Sequence, residues 1–193
     1  MRPPATLDFK AYRRLLRAAG PPLMNWFALE DVEEGGIGFA VHAAFLGERL
    51  VLVRNRARRC WELPGGRREP GEGILETARR ELLEECGAVA VEQRACLGYS
   101  VSLGDRLTHG LLCLTKLESL PGPLPGSEIG AAAAVTRLPG PLCYPHIQGR
   151  ILAELASGGI RVPWPVRLPV LPLDLLSILA DSPAPAGRIP LPR

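Results

Sequence analysis

Three glutamates, Glu81, Glu84 and Glu85, stand at i, i+3 and i+4 in a proline-free stretch. On a helix turning about 100° per residue they share one arc. Each like-charged pair at this spacing costs an isolated helix about 0.2–0.5 kcal/mol, so the cluster requires a counter-charge. Hard dications such as Mg²⁺ or Mn²⁺ favour carboxylate and carbonyl oxygens, and Mg²⁺ commonly keeps several waters and shares the phosphates of a substrate. Such an ion neutralises charge on a phosphate leaving group and acidifies a bound water. Arg80 lies four residues from both Glu76 and Glu84 and is placed to orient one of those acids. An ordinary solvated helix rich in Glu and Arg is the competing reading.

The elements that must position these acids follow from the pattern around them. A helix is expected from about Gly73 to Cys86, anchored by an apolar stripe of Leu75, Ala78, Leu82 and Cys86. The Gly-Pro-rich run Leu63 to Gly71 leads into it as a loop. Ahead of it, Ile37 to Phe45 and Arg49 to Arg54 alternate as strands joined at Leu46-Gly47-Glu48, a hairpin signal. Behind it, strands are expected over Val89 to Leu103 and Gly110 to Leu117, and a late helix over His146 to Ala156. Phe9, Tyr12, Leu15, Leu16 and Ala19 repeat at helical spacing behind an Asp8 N-cap, with Lys10, Arg13, Arg14 and Arg17 on the solvated side. The proline-rich tail from Gly158 carries an apolar segment, Leu173 to Ala180, expected to form a short helix that docks on the body or on a second protomer. The expectation is a layered α+β domain at residues 36–157, with an N-terminal helix and lead-in at 1–35 and the tail at 158–193.

Residues 61–88 read WELPGGRREPGEGILETARRELLEECGA. This stretch resembles the box of the Nudix hydrolase family: Gly, five residues, Glu, seven residues, then Arg-Glu-U-x-Glu-Glu-x-Gly-U, with U a bulky aliphatic. Gly66, Glu72, Arg80, Glu81, Leu82, Glu84, Glu85 and Gly87 fall at the required positions. Ala88 departs mildly, being smaller than the usual aliphatic. The resemblance implies an α/β/α sandwich with a mixed central sheet, in which loop, helix and loop of the box form a metal and diphosphate site. It implies that Glu81, Glu84 and Glu85 ligate the metal, that the Gly65 carbonyl adds another ligand, and that Gly66, Glu72, Arg80 and Gly87 brace the box. Glu84, Glu85 and Arg80 are then the catalytic group, and Glu128, in a later loop ahead of the strand-like Ala-Val-Thr-Arg-Leu segment, is a candidate distal ligand or general base. Arg54, Arg67 and Trp61 are candidates for substrate binding, Trp61 weighed against plain packing.

The implied activity is Mg²⁺- or Mn²⁺-dependent cleavage of a phosphoanhydride in a nucleoside diphosphate-linked substrate. The proline typical of ADP-ribose-cleaving members some fifteen positions past the box is missing from LGYSVSLGDRL, and Tyr99 stands nearer the box than in dinucleoside polyphosphate hydrolases. These absences favour a nucleoside triphosphate, normal or oxidised, converted to monophosphate and pyrophosphate. ADP-ribose or nucleotide-sugar pyrophosphatases, and a Nudix-fold module that binds without turnover, stay open. Retention of every box acid favours the enzyme.

Composition bounds the partners. Hydrophobic residues make up 47% and charged residues 22% of the 193, ordinary for a folded globular chain. The net charge of +3 is too small for a dedicated nucleic-acid binder, although Arg54, Arg56, Arg58, Arg59, Arg67 and Arg68 cluster ahead of the box and could grip phosphates. Cys60, Cys86, Cys96, Cys113 and Cys143 are odd in number and lack metal-ligand spacing, so they read as small core residues in a reducing compartment. His42, His109 and His146 read as structural. No signal-type or membrane-spanning run occurs, and a cytoplasmic location and a nucleotide partner are expected.

Overall fold

The computed structural model describes residues 8–183. The first residues of the lead-in and the last of the tail lie outside them.

The hairpin around Gly47 forms as the alternation predicts. Strand β2 (Phe39–Leu46) turns at Gly47, whose φ is 59°, into β3 (Arg49–Asn55). Alternation along β3 divides its side chains between two layers. Leu50 and Leu52 face one hydrophobic cluster, and Val51 and Val53 face another. A sheet buried on both faces needs cover on both, and helices supply it.

On the Val51 face lies α2 (Ile74–Cys86), whose Leu82 and Cys86 pack with Ala44 and Val53, and whose Ile74 and Ala78 pack with Ala40 and Leu111. The anchoring stripe is therefore Ile74, Ala78, Leu82 and Cys86. Leu75, expected in that stripe, is 40% exposed. Buried positions four apart put residue 74 in phase with 78 and 82, and Leu75 lies about 100° away. The helix ends at Gly87 in the left-handed region (φ 63°), whose N–H bonds the Leu83 carbonyl at 2.8 Å.

On the opposite face, α1 (Phe9–Ala19), α3 (Pro145–Ser157) and α4 (Leu173–Ala180) cover Phe45, Leu50 and Leu52. Asp8 caps α1 by accepting from the Ala11 N–H at 2.8 Å. In α4, Leu175 and Leu179 are buried, and a Cβ on Gly149 of α3 would meet Leu175 at 2.8 Å, so the glycine lets the tail helix approach the body.

The remaining strands are β1 (Leu23–Phe27), β4 (Trp61–Glu62), β5 (Gly65–Arg67), β6 (Ala90–Leu103), β7 (Arg106–Leu117) and β8 (Ile129–Val135). The sheet order is β1-β6-β7-β2-β3-β4, with β5 added to β2 and β8 to β3. The β2–β7 pair is parallel and the others are antiparallel, so the sheet is mixed. The outcome is the α+β sandwich expected. The later strand-like segment lies further upstream than Ala134, beginning at Ile129 directly after Glu128. Strands β4 and β5 escaped the sequence reading because two- and three-residue strands carry no periodicity.

His42 joins the layers at their centre. It is fully buried, bonding Thr115 Oγ1 through Nδ1 and the Ala78 carbonyl through Nε2, each at 2.8 Å. The carbonyl can only accept, so Nε2 carries the proton and the threonine hydroxyl donates to Nδ1. Burial lowers its pKa to about 4, keeping the ring neutral. His109 lies in β7 and His146 in the first turn of α3.

The cysteine expectation requires correction. Cys60 and Cys143 form a disulfide across 83 positions, while Cys86 and Cys113 are buried and Cys96 half-buried as free thiols. The pairing depends on a contact invisible in sequence. Trp61 and Leu142 form a bridge, with Trp61 N–H donating to Pro141 O and Cys143 N–H to Trp61 O, both at 2.8 Å.

Candidate active site

The acidic helix meets the sheet where the glycine loop passes beneath it. Gly65 pairs with Val41 of β2, and its φ of 147° lies where side-chain-bearing residues rarely go. A Cβ there would collide with the Ala40 carbonyl oxygen. A Cβ on Gly66 would instead run into the Glu81 carboxylate. Two glycines thus bring the loop backbone against α2, and the Gly65 N–H donates to Glu85 Oε2 at 2.8 Å.

The three glutamates of the shared arc have different surroundings. Glu85 is 5% exposed, Glu81 is largely buried and Glu84 is exposed. Burial raises the Glu85 carboxyl well above the usual range, and it raises that of Glu81 as well. Arg80 donates to Glu72 Oε1 at 2.6 Å and Oε2 at 3.1 Å, to Glu81 at 2.9 Å, to Glu84 at 3.3 Å and to the Arg67 carbonyl at 2.9 Å. Its hydrogen bond holds Glu72 down at about 2. The bracing is thus shared by Glu72, Arg80 and the Arg67 backbone. Of the two acids four residues away, Arg80 bonds Glu84; Glu76 accepts from the Gly73 N–H at 2.7 Å and caps the helix, because its first-turn position faces unpaired backbone N–H groups. Glu34, from the acidic loop, caps the same end through Ile74 N–H at 2.8 Å.

A cavity of about 510 Å³ opens beside this end of the helix. Gly65, Gly66, Arg67, Arg80, Glu81 and Glu128 line it. Arg54 and Trp61 are not among its lining residues: Arg54 pairs with Trp61 and Ala131 in the sheet, and the Trp61 ring lies over Gly140. The structure therefore brings Arg67 and Glu128 to the box and leaves Arg54 and Trp61 off the cavity.

The sequence reading missed the far wall. Phe9 of α1, Glu62 of β4, Tyr144 ahead of α3 and Gln148 within it line the same cavity, together with Arg58. Arg58 donates to Glu62 Oε1 at 2.7 Å and to the Tyr144 hydroxyl at 3.2 Å, and reaches Glu128 at 3.4 Å. Burial pushes the Glu62 carboxyl up to about 7. Gln148 Oε1 accepts from Leu63 N–H at 2.8 Å, leaving its amide N–H groups as its remaining polar function. Glu62 stands in the quoted WELPGG run, yet only its three-dimensional burial distinguishes it from any other strand-end acid.

Among the described residues, no group of three or more His, Cys, Asp or Glu side chains is gathered closely enough to hold a metal ion by itself. The donor chemistry still fits a hard dication. Glu85 is a buried carboxylate that accepts from a neutral N–H, beside the largely buried carboxylate of Glu81, an arrangement that a cation would relieve. An open, partly hydrated site suits Mg²⁺, which completes its shell with waters and substrate oxygens.

The NUDIX domain family matches residues 36–137, more than half of the chain. A mouse protein named nucleoside diphosphate-linked moiety X motif 6 is 41% identical over 71 residues, covering 35% of this chain and 21% of its own length. The human 8-oxo-dGDP phosphatase NUDT18 is 44% identical over 90 residues, covering 40% of this chain and 28% of its own. The matched stretches thus span about a quarter of those relatives. The crystal structure of the pyrophosphohydrolase BsRppH from Bacillus subtilis superposes with a TM-score of 0.60 at 19% identity, over 72% of this chain and 93% of that one, a likeness of fold. Among the described residues, no helix is long and apolar enough to cross a membrane. The box at its required spacing, its placement between glycine loop and helix, and the matched segment together make this chain a member of the Nudix family.

Proposed function

We propose that this chain is a divalent-metal-dependent phosphoanhydride hydrolase, with Mg²⁺ or Mn²⁺ as its ion, acting on a nucleoside triphosphate, normal or oxidised, to release monophosphate and pyrophosphate. The observation that carries the reading is the buried Glu85 carboxylate, tied to the Gly65 N–H behind the cavity wall and neighboured by Glu81, which lines the cavity. Glu81, Glu84, Glu85 and the Gly65 carbonyl would hold the ion. When bound, it would neutralise phosphate charge and acidify a water. Arg80 holds Glu81 and Glu84 in place, and Arg67 at the rim suits a phosphate oxygen. Glu128, 68% exposed and reached by Arg58, stands free enough to take a proton from an attacking water. The Phe9–Tyr144 wall offers the nucleoside an apolar, aromatic end.

The names of two relatives, an 8-oxo-dGDP phosphatase and a putative 8-oxo-dGTP diphosphatase from Bacillus subtilis, support the oxidised-nucleotide version. A panel of normal and oxidised nucleoside di- and triphosphates, ADP-ribose, nucleotide sugars, dinucleoside polyphosphates and capped RNA, assayed with Mg²⁺ and with Mn²⁺, tests it. The highest kcat/KM is expected for an oxidised nucleoside triphosphate with pyrophosphate as co-product. A preference for ADP-ribose or a nucleotide sugar would replace this substrate while leaving the chemistry. Binding without turnover of any member would replace the enzyme with a binding module.

A further inference from the structure

We propose that Cys60 and Cys143 form a reversible thiol–disulfide site that braces the nucleoside end of the cavity, so that small-molecule thiols and disulfides set how tightly substrate is held.

The two sulfurs join the two halves of one wall. Cys60 lies between Arg58 and Glu62, and Cys143 directly precedes Tyr144; all three of these neighbours line the cavity. Between the halves run hydrogen bonds, Trp61–Pro141 and Cys143–Trp61 along the backbone, Arg58–Tyr144 at 3.2 Å and Leu63–Gln148 at 2.8 Å, and the Arg58 guanidinium lies over the Tyr144 ring. The backbone beside each sulfur is held in an unfavourable conformation. Among the described residues, the non-glycine positions with positive φ are Arg59 (56°) and Tyr144 (49°), one immediately before Cys60 and the other immediately after Cys143. Such conformations persist only where the surroundings over-determine them. The covalent link is the strongest such constraint here. Without it, the Arg59 and Tyr144 turns gain alternatives, and Arg58, Glu62 and Tyr144 lose their fixed spacing. The acids of α2 stand on the opposite layer of the sheet, and the packing of Leu82 and Cys86 and the Gly65–Glu85 bond that anchor them do not pass through the cross-link.

The exchange balances without an external metal or oxidase. In oxidation, the Cys60 thiolate attacks a low-molecular-weight disulfide and releases one thiol. The Cys143 thiolate then displaces the second thiol from the mixed disulfide. Two electrons pass to the small disulfide, and the two cysteine protons end on the released thiols. Reduction runs the same steps backwards. Cys60 keeps 6% exposure and Cys143 none, so the incoming thiolate approaches from the Cys60 side.

The test poises the full chain in glutathione disulfide or in reduced glutathione, verifies each state by alkylation and mass spectrometry, and measures hydrogen exchange and kinetics. Exchange is expected to rise on reduction in residues 55–63 and 141–149 and to stay unchanged in 74–86. KM is expected to rise about tenfold, equivalent to about 1.4 kcal/mol. The double variant Cys60→Ser/Cys143→Ser should behave as reduced protein in both buffers. A pair that stays reduced in glutathione disulfide or oxidised in reduced glutathione, or exchange of the two wall segments that is the same in both states, overturns the proposal. The kinetic arm rests on the hydrolase reading, whereas the exchange arm does not. Absence of turnover would therefore sink that reading and leave exchange to decide this one.

Discussion

Gly65 and Gly66 are adjacent and both tight, yet their replacement by alanine should fail in different ways. At Gly65 the new Cβ meets backbone, the Ala40 carbonyl and the Val41 Cα, at a φ of 147° that alanine resists. Neither neighbour can swing aside without separating β5 from β2. Strain at such a position costs about 1–3 kcal/mol and overpacking about 1–3 kcal/mol more, so Gly65→Ala should lose about 2–6 kcal/mol of stability. At Gly66 the obstruction is the tip of the Glu81 side chain, which can rotate away. Gly66→Ala should therefore cost less than about 1.5 kcal/mol, because a rotamer change off the Arg80 partner is all that is needed. The displaced carboxylate would nevertheless no longer face the cavity. Urea unfolding of the metal-free proteins, repeated with saturating Mg²⁺, separates the two effects. Gly66→Ala should fold nearly as well as the parent and lose most of its Mg²⁺-induced stabilisation. A Gly65→Ala protein within about 1 kcal/mol of the parent, or a Gly66→Ala protein with full metal response, would refute the reasoning.

Other expectations follow from the buried polar groups and the cross-link. Burial lifts the folded pKa of Glu62 to about 7, above the ordinary carboxylate value of 4.5, so the native state holds the proton more tightly; its contribution is fully present below about pH 4.5 and is lost as pH rises to about 7. That loss is about 3 kcal/mol, and the raised Glu81 and Glu85 add to it in the same direction. Metal-free stability measured across pH 4.5 to 8 should decline, and Mg²⁺ should flatten the decline by favouring the ionised acids; a rise instead would contradict the burial argument. Glu72 runs the other way, since its depressed pKa of about 2 withdraws stability as pH falls below about 4.5, visible as acid unfolding that Glu72→Gln shifts little further. His42→Ala should cost about 2–4 kcal/mol by orphaning Thr115 Oγ1 and the Ala78 carbonyl, with no new pH dependence between 5 and 8. Removing the Cys60–Cys143 link, which spans 83 positions, should lower stability by about 4–5 kcal/mol through the freed unfolded chain, read as a drop in Tm relative to the oxidised parent and none relative to the reduced parent.

Much of this was legible in one dimension because it repeats with a period. The hairpin at Gly47, the long β6–β7 pair, α2, α3 and the tail helix at Leu173–Ala180 each carry enough alternation or helical spacing to stand out. The shared arc of Glu81, Glu84 and Glu85 was equally readable. What the periodicity could not rank was their burial, because Glu85 is drawn inward by a backbone N–H twenty positions away. The same acids hid the phase of the helix: with a buried glutamate on the core side, Leu75 looked like an anchor when Ile74 was. Trp61 and Arg54 were attractive by type, but the side of the strand that faces the cavity is set by β4 pairing with β3 and Leu142. Glu62, Arg58 and Tyr144, and the cysteines beside them, come together only because the chain returns to the Cys60 turn just before α3, a contact with no local signature.

In the proposed function the buried acid of the box is central to both metal binding and phosphoanhydride cleavage. The measurement is hydrolysis of the best substrate by the parent and by Glu85→Gln, with Mg²⁺ and with chelator, on proteins shown to be folded. Glutamine keeps the oxygen that accepts from Gly65 and removes the buried charge, so the variant should be as stable as the metal-free parent or more so at neutral pH. Its turnover should fall by roughly a hundredfold or more, matching the parent in chelator. A Glu85→Gln protein that turns over at the parental rate with Mg²⁺, or a parent indifferent to Mg²⁺ removal, would contradict the account.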